Sequence, residues 1–220
     1  MALIQLELNN LKTDSATHSL VGTALEKFLA DMESDKSGFF QLPLKTNWEN
    51  ELADVQPVLA KRLPEIDTFI HLGIGGSALG AETLVRGLGS PKAPTFHFLD
   101  NIDPDYISDI ISKTNPKRAL IYVVSKSGNT METLAQFSWL YNWLEKSVGK
   151  DFAKNHLVFC TDPQKGGLRE LVNAWQIPSF SIPPSIGGRF AALTSVGLFP
   201  ALVAGIDCKQ LLKGAADYRA

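Results

Sequence analysis

Most of the residues in this sequence that could do chemistry sit in three short polar stretches. The densest is Ser125-Lys126-Ser127-Gly128-Asn129-Thr130, with hydroxyl, ammonium and amide groups around a single glycine. It follows the apolar run Ala119-Leu120-Ile121-Tyr122-Val123-Val124, and after it Met131, Leu134, Phe137, Leu140, Tyr141 and Leu144 fall at helical spacing. The pattern predicts a buried strand whose polar turn opens a helix. Free backbone N–H groups and the positive helix end then face the same space as three hydroxyls and Lys126. That combination suits an anion the size of phosphate. Glu132, in the first helical turn, complements the dipole and could also orient a lysine or a water. Ser, Asn and Thr are also ordinary helix caps, so hydroxyls alone would not carry the reading. Here they coincide with a glycine and a lysine at the carboxyl end of a buried strand, where open α/β sheets bind ligands. The stretch lacks the G-x-x-x-x-G-K-[ST] pattern of a P-loop, which argues against a nucleoside triphosphate with magnesium.

The second stretch is Gly73-Ile74-Gly75-Gly76-Ser77-Ala78-Leu79-Gly80. Its first six residues formally fit the dinucleotide fingerprint, with Asp100 near the place of a ribose-binding acid. A dinucleotide fold has no need of the polar turn at 125–130, however, and Asp100 also reads as a turn residue at a strand end. On either reading the glycines let backbone approach a ligand closely. The third stretch is Gly187-Gly188-Arg189-Phe190. Arg189 has a permanent charge and a planar fork of donors, and Gly188 beside it permits close backbone approach. A lone arginine is also an ordinary surface cation. The histidines offer less: His71 and His97 fall within predicted strands as hydrogen-bonded core residues, and His18 and His156 have no partner motif.

The elements that must position these stretches alternate. Strands are predicted at 66–72, 95–99, 119–124, 156–160 and 178–182, with helices after the first four, one of them capped by Asp103 with Pro104 in its first turn. The fold class is therefore α/β, a three-layer αβα sandwich with a five-stranded parallel, doubly wound sheet. Two helices are predicted before it, over 18–32 and over 48–59, as a peripheral extension. Beyond Arg189 the segment with Leu193, Val196, Phe199, Leu202 and Val203 is apolar on most sides, and burying it is expected to need protein outside this chain. The boundaries expected are 1–62 for the helical extension, 63–185 for the sheet domain and 186–220 for the start of a second part, which reads as cut off.

In bulk the chain is globular, with 45% hydrophobic and 20% charged residues among 220. A net charge of −2 argues against nucleic acid as a partner. Cys160 and Cys208 have no metal-ligand spacing and form no disulfide framework, which suggests a reducing compartment. No run is long enough to span a membrane and the first residues do not read as a signal peptide, so a cytoplasmic location is expected.

With GIGGSALG, SKSGNTMET and GGRF in this order, the chain resembles the phosphoglucose isomerase family, particularly its shorter bacterial branch, with a core similar to the sugar isomerase (SIS) domain. The resemblance runs from about residue 66 to 207. It implies aldose–ketose isomerisation of glucose 6-phosphate and fructose 6-phosphate through an enediolate, with no cofactor and no metal. Ser77, Ser125, Ser127 and Thr130 would hold the phosphate, with Lys126 and Thr133 in the same pocket and Gly76 approaching through its backbone. Arg189 would lie near C1 and C2, where a fixed cation stabilises developing negative charge. A homodimer is implied for the full-length protein. Two departures stand out: Ala191 replaces the serine usual after Gly-Gly-Arg-Phe, and the family's glutamate base, ring-opening histidine and late lysine lie in motifs that these residues do not contain. Proton transfer between adjacent carbons needs a positioned base, so this stretch alone is expected to be inactive or nearly so. The rival reading is a non-catalytic sugar-phosphate-binding SIS module.

Overall fold

The computed structural model describes residues 14–34, 38–45, 48–53 and 55–219. Helices α1 (Ser15–Glu33), α2 (Leu42–Lys45), α3 (Trp48–Ala53) and α4 (Gln56–Arg62) come first. The single helix expected over 48–59 is two, because Pro57 lacks an N–H and its ring opposes the carbonyl four residues back, so α4 must start afresh. Then follow β1 (Thr68–Leu72), α5 (Leu79–Leu88), β2 (Thr95–Leu99), α6 (Pro104–Lys113), β3 (Ala119–Ser125), α7 (Met131–Val148), α8 (Lys150–Ala153), β4 (Leu157–Thr161), α9 (Gly167–Trp175), β5 (Ser179–Ser181), α10 (Ser195–Val203) and α11 (Cys208–Arg219). Asp103 caps α6 as read from the sequence, its carboxylate accepting from the N–H groups of Asp105 and Tyr106.

The five strands form one parallel sheet in the order β2-β1-β3-β4-β5. The chain leaves β1 for β2 on one side, and β3 to β5 then run outward on the other. The order reverses between β1 and β3, and at such a switch point the turns after the two strands splay to leave a crevice at their carboxyl ends. β1 and β3 are buried at every position, which their continuous apolar runs require.

The sheet separates two apolar layers. Ile70, Leu72, Ile121, Val123 and Phe159 point toward α6, α7 and α9. On the other face, Phe69, Leu120, Tyr122, Val124 and Phe180 pack with Trp48, Val55 and Leu59 of the early helices, with α10, and with Cys208 and Leu212 of α11. This overturns the expectation for α10. Its residues from Ser195 through Ala201, and Val203, are buried within this chain, because the sheet, the early helices and α11 surround it. Its uniform hydrophobicity is that of a central core helix.

Candidate functional site

The turn after β3 is held largely by its own side chains. Ser125 Oγ lies 2.8 Å from Thr130 Oγ1 and 3.4 Å from Ser127 Oγ, so the three hydroxyls form a cluster. Ser125 also accepts the Gly128 N–H at 3.2 Å, and Ser127 accepts that of Asn129 at 3.2 Å. Gly128 takes φ +68°, a conformation that costs glycine little. Ser125 is buried, Thr130 half-buried and Ser127 exposed, so the cluster opens to solvent through Ser127. Thr130 is the N-cap of α7 but makes no side-chain cap bond; its hydroxyl belongs to the cluster instead. The first turn of an 18-residue helix thus presents its N–H groups without a side-chain acceptor, beside three hydroxyls. Glu132 is exposed on that first turn.

Neighbouring chain supports the turn from behind. Asn129 Oδ1 accepts the Gly167 N–H at 2.8 Å, and Gly128 O accepts that of Leu168 at 3.0 Å, tying the turn to the start of α9. Thr133, in the first turn of α7, is 1% exposed, with its hydroxyl unpartnered and out of solvent. Lys126 reaches elsewhere: its ammonium donates to Pro184 O at 2.9 Å and Ile186 O at 2.6 Å. It is a strut between the turn and the arginine-bearing segment.

That segment is a 3-10 stretch from Gly188 to Leu193, abutting the turn after β1. A Cβ on Gly76 would lie 2.2 Å from Gly188 O and 2.8 Å from Arg189 N, so glycine there lets the two backbones touch. Gly188 itself faces open space. Ser77 is half-buried and its carbonyl meets His71 Nε2 at 2.6 Å. Phe190 stacks on Phe39 at 4.1 Å, and among the described residues the exposed Arg189 side chain has no hydrogen-bond or ion-pair partner. The structure thus gathers Ser125, Ser127 and Thr130 into one cluster, links it through Lys126 to the arginine segment, and packs Gly76 against Arg189.

Several supporting contacts escaped the sequence reading, which had His71 only as a hydrogen-bonded core residue without a partner. His71 is fully buried, and burial pushes its imidazole down to about 4, with the Ser77 carbonyl partly opposing this. It is therefore neutral near pH 7 and, with Nε2–H donated to Ser77 O, it fixes the turn that follows. Its ring meets that of Tyr122 edge-on at 5.3 Å, and the Tyr122 hydroxyl donates to Ser195 O at 2.8 Å. The Ser195 hydroxyl donates to the Glu51 carboxylate from α3. Glu51 is held above the usual carboxylate range by burial, the Ser195 bond opposing in part. The only sequence signal for this chain of contacts was polar residues inside apolar runs, which does not reveal partners. His97 is half-buried at the sheet edge and His156 is buried beside Arg62, so of the two histidines read as core, His71 alone has the expected bond to backbone.

The sequence model of the phosphoglucose isomerase family matches residues 60–219. The chain belongs to that family. It is 38% identical over 205 residues to a glucose-6-phosphate isomerase of Carboxydothermus hydrogenoformans, a match covering 89% of this chain and 44% of that protein. The crystal structure of a Thermus thermophilus protein described as hypothetical superposes with a TM-score of 0.79 at 35% identity, covering 93% of this chain and 48% of that one. A glucose-6-phosphate isomerase of Chlamydia trachomatis gives 0.65 at 26% identity, over 78% and 33%. The chain therefore spans less than half the length of each of these three relatives. Among the described residues no helix is long and apolar enough to cross a membrane.

Proposed function

We propose that this chain supplies the phosphate-binding half of a glucose-6-phosphate isomerase site, which interconverts glucose 6-phosphate and fructose 6-phosphate. The observation that carries the reading is the cluster of Ser125, Ser127 and Thr130 hydroxyls at the uncapped N-terminus of α7, in a member of this family. In this reading the sugar phosphate docks there and against the Ser77 turn, with Gly76 backbone alongside. The free Arg189 guanidinium reaches toward C1 and C2, where its charge stabilises the enediolate in a place that water would otherwise solvate. Lys126 acts chiefly by holding the arginine segment to the phosphate turn, and Thr133 supports the turn from the start of α7. Glu132 and Gly188 shape the rim. The base that moves the proton between carbons comes from chain outside these 220 residues. The working protein is a cytoplasmic homodimer needing neither metal nor redox cofactor, with a phosphosugar and not nucleic acid or a membrane as its partner.

The test is thermal melting with fructose 6-phosphate, glucose 6-phosphate or NADH. A phosphosugar at a hundred times its dissociation constant should stabilise the chain by about 2.7 kcal/mol, and a coupled isomerase assay should show no normal turnover. A shift with NADH alone would overturn the reading in favour of the glycine run as a dinucleotide site.

A further inference from the structure

A second group of donors lies at the amino end of the sheet, opposite the phosphate turn. Here a cavity of about 450 Å³ is lined by Arg62, Lys117, Ser147, Val148, Phe152 and His156. α7 begins at the phosphate turn and ends at this cavity, so its 18 residues separate the two places by about 27 Å.

The cluster has more donors than acceptors. Arg62 is 8% exposed; it donates to Glu65 Oε2 at 2.7 Å and to Lys117 O at 2.9 Å, while its Nε–H is buried without a partner. Its remaining close neighbour is His156 Nδ1 at 2.8 Å, which is also 2.9 Å from Ala119 O. A neutral ring nitrogen cannot accept from Arg62 and donate to Ala119 together, so one of these contacts is always frustrated. The Lys117 ammonium is exposed and has no ion pair among the described residues. Among the described residues the only carboxylate ion-paired with these cations is Glu65, which pairs with Arg62 and leaves the Lys117 charge without a counter-ion. Ser147 donates its hydroxyl hydrogen to Trp143 O at 2.7 Å, so it offers the cavity no free donor. Val148 and the 65% exposed Phe152 give the cavity an apolar wall.

We infer that this cavity is a binding site for a small organic oxyanion, a phosphate or carboxylate attached to an apolar body. The anionic end meets Lys117 and the Arg62–His156 edge, and the body lies against Phe152. An acceptor-only anion takes up the donor surplus and also offsets the unpaired Lys117 charge; a neutral acceptor does only the first and a cation neither. The inference does not rest on the reading of the phosphate turn.

The experiment follows the amide and ring signals of Ser147, Val148, Phe152 and His156 by NMR while phenyl phosphate, benzoate or inorganic phosphate is added to the whole chain. Saturable shifts are expected, complete below about 10 mM for phenyl phosphate. Lys117→Glu, at an exposed position that tolerates change, should weaken binding by at least about tenfold. Ser125→Ala should leave these shifts unchanged, which separates them from events at the phosphate turn. Absence of saturable shifts, or shifts indifferent to Lys117→Glu, would overturn the site. Benzoate binding without phenyl phosphate, or the reverse, identifies which oxyanion it takes. If phenyl phosphate binds no tighter than inorganic phosphate, or if Phe152→Ser does not erase the difference, the apolar half of the assignment is wrong.

Discussion

The turn at 125–130 and the segment at 183–193 meet at the carboxyl end of the sheet but are built in opposite ways. The turn is held mostly from within, with α9 bonded behind it: Ser125 and Ser127 accept N–H groups two or three residues ahead, and its hydroxyls bond one another. The arginine segment is held from outside, by Lys126 from 58 and 60 residues away, by contact with Gly76 and by the Phe39 ring. The hydroxyl-bearing part is fixed mainly by local bonds, while the part that carries the free cation is placed by distant ones. Substitutions far from Arg189 should therefore move it, whereas those that disturb the phosphate turn should lie in or against it.

Gly76→Ala should test this most severely. Its methyl group would collide with backbone that cannot rotate away, costing about 1–3 kcal/mol of stability and displacing Arg189. Fructose 6-phosphate binding and melting temperature should both fall; a variant with unchanged melting would show that the two backbones are not in contact. Lys126→Met comes next. It leaves two carbonyls without charge-assisted donors, worth about 1.5–3 kcal/mol each at most, and should raise hydrogen exchange across 184–190 while sparing 125–130. Equal exchange in both regions would erase the contrast. Ser125→Ala should weaken phosphosugar binding roughly tenfold to a hundredfold, about 1–3 kcal/mol, with the arginine segment undisturbed. His71→Leu should loosen the Ser77 turn and lower affinity by about 1–3 kcal/mol, and His71→Gln, which keeps a donor, should restore part of it.

The smallest effect concerns Glu51. Burial holds its carboxyl above the ordinary 4.5, so in the interval above that value the folded chain keeps a proton that the unfolded chain has lost. Stability must fall as pH rises through that interval. Wild type should lose melting temperature relative to Glu51→Gln as pH rises above 4.5, and a constant difference would place the carboxylate in a wetter setting.

The same contrast explains what could be read in advance. The polar turn, its strand, its helix and the Asp103 cap depend on neighbours in sequence, and periodicity exposed them. Lys126 was legible as a cation but not as a strut, because the carbonyls it meets lie on a loop whose path no local pattern encodes. The burial of α10 was misread for the same reason: the residues that enclose it run from Trp48 to Leu212. Gly76 was set beside the substrate by the family resemblance, and the sequence could not show that Gly188 also packs against it. Asn129, His71 and Ser195 are ordinary residue types whose positions matter only once partners are known.

The two layers also differ in when they can form. The face with α6, α7 and α9 draws its buried apolar residues from Ile70 to Ile177, mostly from adjacent strand–helix pairs. The face with α10 joins Trp48 to Leu212, across nearly the whole chain. During synthesis the first face can consolidate while the second stays bare until α10 has left the ribosome, since its contacts carry the larger loop-closure cost. The early helices, made first, are thus among the last to dock. In refolding, amide protection should develop in α7 before α4, and the interval between them is when this protein is most open to aggregation.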